Sequence, residues 1–256
     1  MVKNRFFNNN ILDRHLAITD GIFAIAMTIL VLEIAVPTIS DITSGMALGN
    51  YFTSYLIPAI IIYFISFFLV YNFWETTTIL FSFKKISNNI LFLNMFALAT
   101  VCLIPFATGF LFSFYKYFEV NLFFSCLILI ISIIYLIILL VLIKDNFSEI
   151  FENKDKLKDK YNNKIEEGIV FPNFKIYMRG AVLTIFYLVL SPIIISIISI
   201  LLALISPVLS ILSFILILLS RLIIRMRRMK KDLNTDNNLT DAEKEFLKEI
   251  ENTLYD

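Results

Sequence analysis

The sequence feature that most restricts the fold of this chain is a series of apolar runs long enough to cross a lipid bilayer. Hydrophobic residues make up 59% of its 256 residues. A membrane-spanning helix needs roughly 20 mainly apolar residues, and a helix satisfies its own backbone hydrogen bonds inside the bilayer. We therefore predict an all-α integral membrane protein with six transmembrane helices. The predicted spans are about Thr19–Val36, Tyr51–Phe81, Asn88–Phe114 and Asn121–Ile143, with a final pair within about Ile176–Ile224.

The position of the turn within the final pair is open. Pro192 and Pro207 both lie in apolar sequence, and proline either kinks a helix or ends it. Either proline is compatible with two spans in this region.

The positive charges orient these spans. If both termini lie in the cytoplasm, Lys116 is the only one of the 22 Lys and Arg residues on the outer side. An excess of Lys and Arg on cytoplasmic segments is the usual arrangement in membrane proteins, and an odd number of spans would destroy it. We therefore expect a multi-pass protein whose two termini are both cytoplasmic.

Charge patterning also predicts the cytoplasmic parts. Residues 1–231 are assigned to the six-helix transmembrane domain, including a charged loop at about 144–175 whose composition indicates a solvated segment, partly helical or disordered. The basic run Arg221–Lys231 is predicted to stop the last helix at the lipid headgroups, with an anionic-lipid site as the alternative. Residues 232–256 are predicted to be a tail with a short helix, whose apolar stripe comprises Phe246, Ile250 and Leu254.

The sequence contains no motif for enzymatic chemistry. It has no glycine-rich phosphate loop, no His/Cys metal cluster and no nucleophile–base pair. We therefore expect a protein that is not an enzyme, with no catalytic residue, resident cofactor or metal site. The only histidine, His15, is interpreted as an interfacial residue. Basic residues are not interleaved with exposed aromatic residues, which argues against nucleic acid as a partner.

Two common transport architectures are not indicated either. The sequence lacks the TVGYG-type run that builds a carbonyl selectivity filter. It also lacks two similar halves, which weakens an interpretation as an inverted-repeat transporter.

The first span carries charged residues that a membrane helix normally avoids. Arg14, Asp20 and Glu33 lie on or beside it. A carboxylate in a spanning helix costs about 2.5–3.5 kcal/mol on insertion scales, so it normally faces protein or water and has a partner. The first helix is therefore predicted to line or brace something polar. Arg14 and Asp20 cannot bond directly on one straight helix, because they are about 120° apart.

An apolar stripe lies on another side of this helix. At about 100° per residue, Asp20 projects about 140° away from Ile25 and is expected to be a buried acid. Thr28 lies at the edge of the stripe. The spacing alone leaves open a second interpretation, in which the stripe packs against protein or faces lipid. Four aliphatic residues form it, within about 60° of arc: Ile25, Ile29, Leu32 and Val36.

The run DGIFAIAMTILVLEIAVP, Asp20 to Pro37, resembles the opening helix of the transmembrane protein 175 family. This family comprises the endolysosomal potassium channel and its bacterial and archaeal relatives. The family signature is Arg, three residues, then Phe-Ser-Asp. Here the signature reads Arg14, three residues, then Ile18-Thr19-Asp20.

Two further segments support the resemblance. The run NMFALATVCLIPFATGFL, Asn94–Leu111, is similar to the family's third helix with its Pro-Phe pair, and Trp74 matches near the end of the second span. Prokaryotic members commonly carry two adjacent histidines where this chain has Thr77 and Thr78. The similarity covers about Arg14–Ile143, and the last hairpin in outline.

The resemblance implies a potassium-permeable channel in which the first helices of four identical subunits surround one pore. In the family a ring of bulky aliphatic residues forms the constriction, and by position this role transfers to Ile25, with Ile29 and Leu32 as further layers. The threonine one turn after the first ring transfers to Thr28. Four copies of Glu33 at the outer mouth are expected to concentrate cations, with an interfacial carboxylate that snorkels to the headgroups as the alternative.

The charged residues of the first span are expected to join a network that braces this helix. The network would fix the first helix against the second helix or against a neighbouring subunit, so that loss of Asp20 spoils assembly more than permeation. The replaced histidines alter its chemistry and any pH sensitivity. Its expected members are Arg14, Thr19, Asp20, Trp74, Thr77 and Thr78, with Glu75 as a further candidate.

The sequence thus predicts a homotetrameric potassium channel whose partners are potassium ions, the lipid bilayer and further copies of the chain. Three alternatives stay open: a weakly selective monovalent cation or proton leak with the same pore, an ion-coupled carrier that binds its ion at Asp20, and a non-conducting membrane scaffold. The bias towards Ile, Lys and Asn with only 6 Gly is typical of an AT-rich microbial genome, which favours the plasma membrane over the lysosome.

Overall fold

The computed structural model describes residues 2–36, 48–82, 86–166, 174–222 and 226. Every regular element within these ranges is a helix, which confirms the all-α fold class. The elements are α1 (Val2–Leu32), α2 (Leu48–Tyr51), a π-helix (Phe52–Leu56), α3 (Ile57–Leu80), α4 (Asn88–Val101), α5 (Leu103–Phe114), α6 (Phe118–Glu166), α7 (Phe174–Ala203) and α8 (Pro207–Ser213).

The described helices contain the apolar lengths that a membrane protein needs. A shorter apolar helix, Pro207–Leu222, follows the last of five longer ones. The chain is therefore an integral membrane protein. The five stretches that are long and apolar enough to cross a membrane are Leu12–Leu32, Phe52–Leu80, Asn88–Phe114, Phe118–Asp145 and Phe186–Ala203.

The first span lies earlier in the sequence than predicted. Its apolar stretch begins at Leu12 rather than Thr19, and α1 ends at Leu32. Glu33 and Val36 therefore lie beyond the end of the helix, and Val36 does not continue the helical stripe. Pro37 follows directly, and a proline biases the preceding residue away from helical geometry.

The third span is interrupted near its middle. Between α4 and α5, Cys102 is in a turn. Pro105 lies three residues further on and has no N–H with which to bond the carbonyl of Val101, so the regular hydrogen-bond ladder breaks at this point.

The open question of the last turn has a clear answer. Pro192 lies inside α7, whereas Pro207 is the first residue of α8. The turn lies at residues 204–206. Proline is favourable at the first position of a helix because the N–H that it lacks would have no partner there.

The cytoplasmic predictions fall partly outside the described residues. Helix α6 continues to Glu166 without a break, so the described part of the predicted charged loop, residues 144–166, is helical. Most of the basic run Arg221–Lys231 and the whole of the tail 232–256 lie outside the described residues.

The buried core lies where α3, α4, α5 and α6 meet, and α1 packs on α3, α4 and α5. Phe73 of α3 stacks on Tyr135 of α6 with 5.7 Å between ring centroids. The last helices pack on α6, where Phe124 meets Phe214 edge to face at 5.5 Å. This arrangement leaves α1 at the edge of the bundle.

Candidate functional site

Helix α1 has one covered face and one uncovered face. Thr19, Phe23, Ala26 and Leu30 are buried, each at most 3% exposed. Only 22% of the most apolar stretch of α1 is buried inside the chain, against 44% in each of the other four long spans. The buried share of the first span is thus half that of the other four long spans.

The predicted aliphatic stripe lies on the uncovered face. Ile25 is 58% exposed, Ile29 is 38% exposed and Leu32 is 78% exposed. The centre of this stripe is about 130° around the helix from the centre of the buried face. Within the described residues, the stripe is therefore covered much less than the buried face of the same helix.

Thr28 lies on the same uncovered face. Its hydroxyl donates to the carbonyl oxygen of Ile25, with 2.9 Å between the oxygens. Since that bond uses the hydroxyl hydrogen, the lone pairs of Thr28 Oγ1 remain available as acceptors. A cation or a water molecule next to this face would meet an oxygen acceptor among aliphatic side chains.

Asp20 lies at the edge of the covered face, about 90° around the helix from the centre of that face, and contacts α3. Trp74 Nε1 donates to Asp20 Oδ1 at 2.9 Å. Asp20 is exposed in the single chain, rather than the buried acid that helical geometry predicted. The carboxylate is close enough to the edge of α3 to accept this bond while its other oxygen remains accessible.

Thr19 lies in a second polar cluster that joins α1 to α4. Its hydroxyl donates to the carbonyl oxygen of His15 at 2.9 Å and accepts from Asn94 Nδ2 at 3.1 Å. Asn94 Nδ2 also lies 2.9 Å from His15 Nε2, and the His15 ring stacks on Phe81 with centroids 5.9 Å apart. The sequence analysis missed Asn94 in this role, although a fully buried amide in an apolar run was a signal for it.

The remaining members of the predicted bracing network lie elsewhere. Thr77 Oγ1 donates to the carbonyl oxygen of Phe73 at 2.8 Å and lies 2.7 Å from Tyr135 OH, so it faces α6. Thr78 is exposed and bonds the carbonyl oxygen of Trp74 within its own helix. The structure does not bring these two threonines to Asp20.

Arg14 and Glu75 also lie apart from Asp20. Arg14 is exposed, and no hydrogen bond or ion pair joins it to another described side chain. Glu75, one residue after Trp74, forms an ion pair with Arg221 at the end of the last described helix.

At the other end of α1, the chain is held by two tyrosines from the start of the second span. Tyr55 OH accepts from the backbone N–H of Ala35 at 3.2 Å, and Tyr51 OH donates to the carbonyl oxygen of Ala35 at 2.6 Å. Glu33 is half-buried and its carboxylate lies against Gly109 of α5, where a Cβ would overlap Oε2. The small residue at 109 permits this close approach.

The described residues contain no cluster of three or more His, Cys, Asp or Glu side chains that would hold a metal ion. The chemical features at α1 are therefore an aliphatic surface, one hydroxyl acceptor and two carboxylates. This set of groups has no strong metal ligand shell, and it suits weak, transient contact with a hydrated cation.

Comparison with known proteins finds a family model that matches part of the chain. The model of the endosomal/lysosomal potassium channel TMEM175 matches residues 14–105, which include the signature on α1, Trp74 and Pro105, the first residue of the Pro-Phe pair. The resemblance seen in the sequence is thereby confirmed. A search of the curated proteins gave no match.

A solved structure has a similar fold. The crystal structure of a TMEM175 homologue from Chamaesiphon minutus, described as a lysosomal potassium-selective channel, superposes with a TM-score of 0.62. The two sequences are 21% identical, and the match covers 84% of this chain and 98% of the other. The likeness thus includes the last hairpin as well as the segment matched by the family model.

Proposed function

We propose that this chain, whose residues 14–105 match the TMEM175 potassium channel family, is one subunit of a homotetrameric potassium-permeable channel. Four copies of α1 surround the pore. The constriction is a ring of Ile25 side chains, with Ile29 and Leu32 as further layers, and no carbonyl filter is involved.

The observation that carries this proposal is the uncovered aliphatic face of α1. A helix whose own chain covers only 22% of its most apolar stretch is available to other copies of the same chain. Thr28 adds an oxygen acceptor to that face, and an axial position would give this oxygen contact with water or a permeant ion. The same residues are the ones that the family resemblance assigns to the pore.

The proposed constriction at Ile25, called the neck below, conducts only when water enters it. Four isoleucine side chains that meet on an axis leave a narrow opening that water occupies poorly, so the pore is shut until it dilates. A cation that crosses the dilated neck meets no strong ligand. Potassium gives up water more readily than sodium, and the Thr28 oxygens replace part of what is lost. This mechanism predicts a modest preference for potassium.

Glu33 is proposed to act at the outer mouth. Four carboxylates near one opening raise the local cation concentration by focusing the electric field. In each subunit the packing of Glu33 against Gly109 would hold its carboxylate at one position next to α5, so that the four charges stay in place.

The cellular setting follows from charge and composition. We place the channel in the plasma membrane of a microbial cell, because the bias towards Ile, Lys and Asn favours that membrane. Both termini are placed in the cytoplasm, because this topology leaves only Lys116 of 22 Lys and Arg residues outside.

Bilayer recording with potassium and sodium on opposite sides tests the proposal. Purified protein should pass net current whose reversal potential shows a preference for potassium. Ile25→Asn, which adds a hydrogen-bonding group to the neck, should raise the current and reduce that preference. Ile130→Asn is the matched control, because Ile130 is also exposed (51%) but lies on α6.

Each alternative gives a different result. Unchanged conductance and ion preference in Ile25→Asn would show that the neck is elsewhere. Current without potassium preference indicates a general cation or proton leak, flux only with a coupled ion indicates a carrier, and no current from well-folded protein indicates a scaffold.

A further inference from the structure

A further contact between polar groups joins the last described helix to α3. Arg221 continues the helix that begins with α8, and its side chain is only 12% exposed. Because the side chain is largely removed from solvent, its guanidinium needs charged or polar partners. The partners all belong to one turn of α3.

Three groups of α3 accept hydrogen bonds from the guanidinium of Arg221. Arg221 Nη1 donates to the carboxylate of Glu75 in a close ion pair. Nη2 donates to Thr76 Oγ1 at 2.8 Å and to the carbonyl oxygen of Asn72 at 3.2 Å. Thr76 Oγ1 itself donates to the same carbonyl oxygen at 2.8 Å, so its lone pairs are directed towards Arg221. Arg221 thus makes an ion pair and two hydrogen bonds with α3 while its side chain is largely buried. An isolated ion pair on an exposed surface would have neither feature.

The same turn of α3 holds the first helix from its other side. Trp74 Nε1 donates to Asp20 of α1, and the next residue, Glu75, pairs with Arg221. Consecutive helical residues point about 100° apart, so one turn of α3 connects α1 with the last helix. Arg221 is also where the basic run Arg221–Lys231 begins.

We propose that Arg221 is a positioning residue for the pore helix: its ion pair with Glu75 fixes the inner turn of α3 and thereby holds α1 through the Trp74–Asp20 hydrogen bond. This inference rests on the proposed function, since the opening of the pore is what the contact regulates.

The physical reason is that the contact restrains α1 without touching the neck. Ile25 and Leu32 determine how water and ions cross, whereas Glu75 and Arg221 determine how firmly α3 holds α1. Loosening the contact makes dilation of the neck easier. It should therefore change how often the pore opens and leave the conductance of an open pore unaltered.

Single-channel recording of reconstituted protein separates these effects. Arg221→Gln and Glu75→Gln should each raise the open probability at least tenfold, with unitary conductance and potassium preference unchanged. The double variant Arg221→Gln/Glu75→Gln should change it no more than either single variant, because both act through one contact. Arg221→Lys should be intermediate, since it keeps the charge but loses the paired donors.

Lys144→Gln is the matched control. It removes one positive charge from an exposed position on α6, next to the inner end of the apolar stretch Phe118–Asp145, and should leave the open probability unchanged. An unchanged open probability in Arg221→Gln, a changed unitary conductance, or additive effects in the double variant would each overturn the proposal.

Trp74 supplies a readout that does not depend on conduction. It is the only tryptophan in the chain, so its fluorescence reports this turn of α3 alone. Arg221→Gln should shift the Trp74 emission to longer wavelength, and Lys144→Gln should not. If the wild-type protein passes no current but the shift is present, the proposed function fails while the connection from Arg221 to α1 stands; if no shift occurs, the connection itself fails.

Discussion

At the scale of single residues, Asp20 is a charged group of α1 that bonds a neighbouring helix. It accepts a hydrogen bond from the Trp74 indole at 2.9 Å and remains exposed in the single chain. An exposed carboxylate on a membrane helix is costly unless protein or water covers it. Its position is explained if another subunit or an aqueous crevice lies beside it.

The side chain of Asp20 can be tested by separating its charge from its hydrogen bond. Asp20→Asn keeps an oxygen that accepts from Trp74, whereas Asp20→Ala leaves the indole N–H unpaired. We expect Asp20→Ala to destabilise the protein by about 1 kcal/mol and to reduce the tetramer fraction, with a smaller effect in Asp20→Asn. Thermal unfolding and size-exclusion chromatography in detergent measure both. Equal stability of the three proteins would contradict a bracing role.

At the scale of helices, α1 is restrained near both ends by the second span. Trp74 contacts its inner part, and the π-helical start of the second span carries Tyr55, which contacts the chain just after the helix ends. Between these contacts the aliphatic stripe is exposed in the part of the chain that the structure describes, whereas Phe23, Ala26 and Leu30 on another side of α1 are buried. The middle of α1 is thus held on one side and uncovered on the other.

Two tyrosine variants distinguish the groups that hold the outer end. Tyr55→Phe removes the acceptor of the Ala35 N–H, and Tyr51→Phe removes the donor to the Ala35 carbonyl oxygen. Hydrogen exchange at the Ala35 amide should therefore accelerate in Tyr55→Phe but change little in Tyr51→Phe, which is the matched control. Equal exchange in both variants would show that these bonds do not hold the segment.

The last hairpin is attached to α6 by serine residues. Ser199 Oγ lies 2.8 Å from Ser125 Oγ of α6 and 2.8 Å from Ser210 Oγ of α8, and all three residues are buried. Inside a membrane, small polar residues let helices approach closely and bond across the interface. The serines thus join three helices at one point.

We expect Ser199→Ala to lower the free energy of unfolding by about 1 kcal/mol. Ser196→Ala is the control on the same helix, because Ser196 Oγ bonds only the carbonyl oxygen of Pro192 in α7. Unfolding in mixed micelles with increasing dodecyl sulfate measures the difference. Equal destabilisation by the two substitutions would mean that the bonds between helices contribute nothing specific.

At the scale of the whole molecule, α1 is covered by its own chain less than the other long helices are. This difference favours assembly with other copies of the chain. The helices α3 to α6 bury a common core, while α1 presents its aliphatic face outwards. Other exposed aliphatic and aromatic residues also occur on the outer faces of the other spans, as expected of a surface in contact with lipid. The face of α1 differs because it also carries Thr28 and because α1 is the least covered of the five long spans.

Cysteine crosslinking tests which outward face meets another copy. In a background with Cys102→Ser and Cys126→Ser, Ile25→Cys should form disulfide-linked dimers when membranes are oxidised. Phe64→Cys, at a position that is 52% exposed on α3, should remain monomeric on a reducing-agent-free gel. Efficient crosslinking at 64 and none at 25 would place the lipid, and not the pore, beside the stripe.

The sequence by itself determined that the chain lies in a lipid bilayer and that its regular elements are helices. Apolar runs of bilayer length have no stable alternative to helices, and the six predicted spans match the five long apolar helices and the shorter Pro207–Leu222. The signature around Asp20 also carries the resemblance to the TMEM175 family, and that resemblance indicated Trp74 as a candidate partner. These inferences depend on local composition and spacing, which the chain carries without any knowledge of packing.

Only the tertiary structure decided which side chains meet. Asp20 and Trp74 are 54 residues apart, and Arg221 and Glu75 are 146 apart. Thr77 faces Tyr135 and not Asp20, although it lies one turn from Trp74. Which face of a buried helix meets which neighbour depends on how several apolar helices pack together. An evenly apolar helix carries little periodic signal for that choice, so the partners appear only when all the helices are in place.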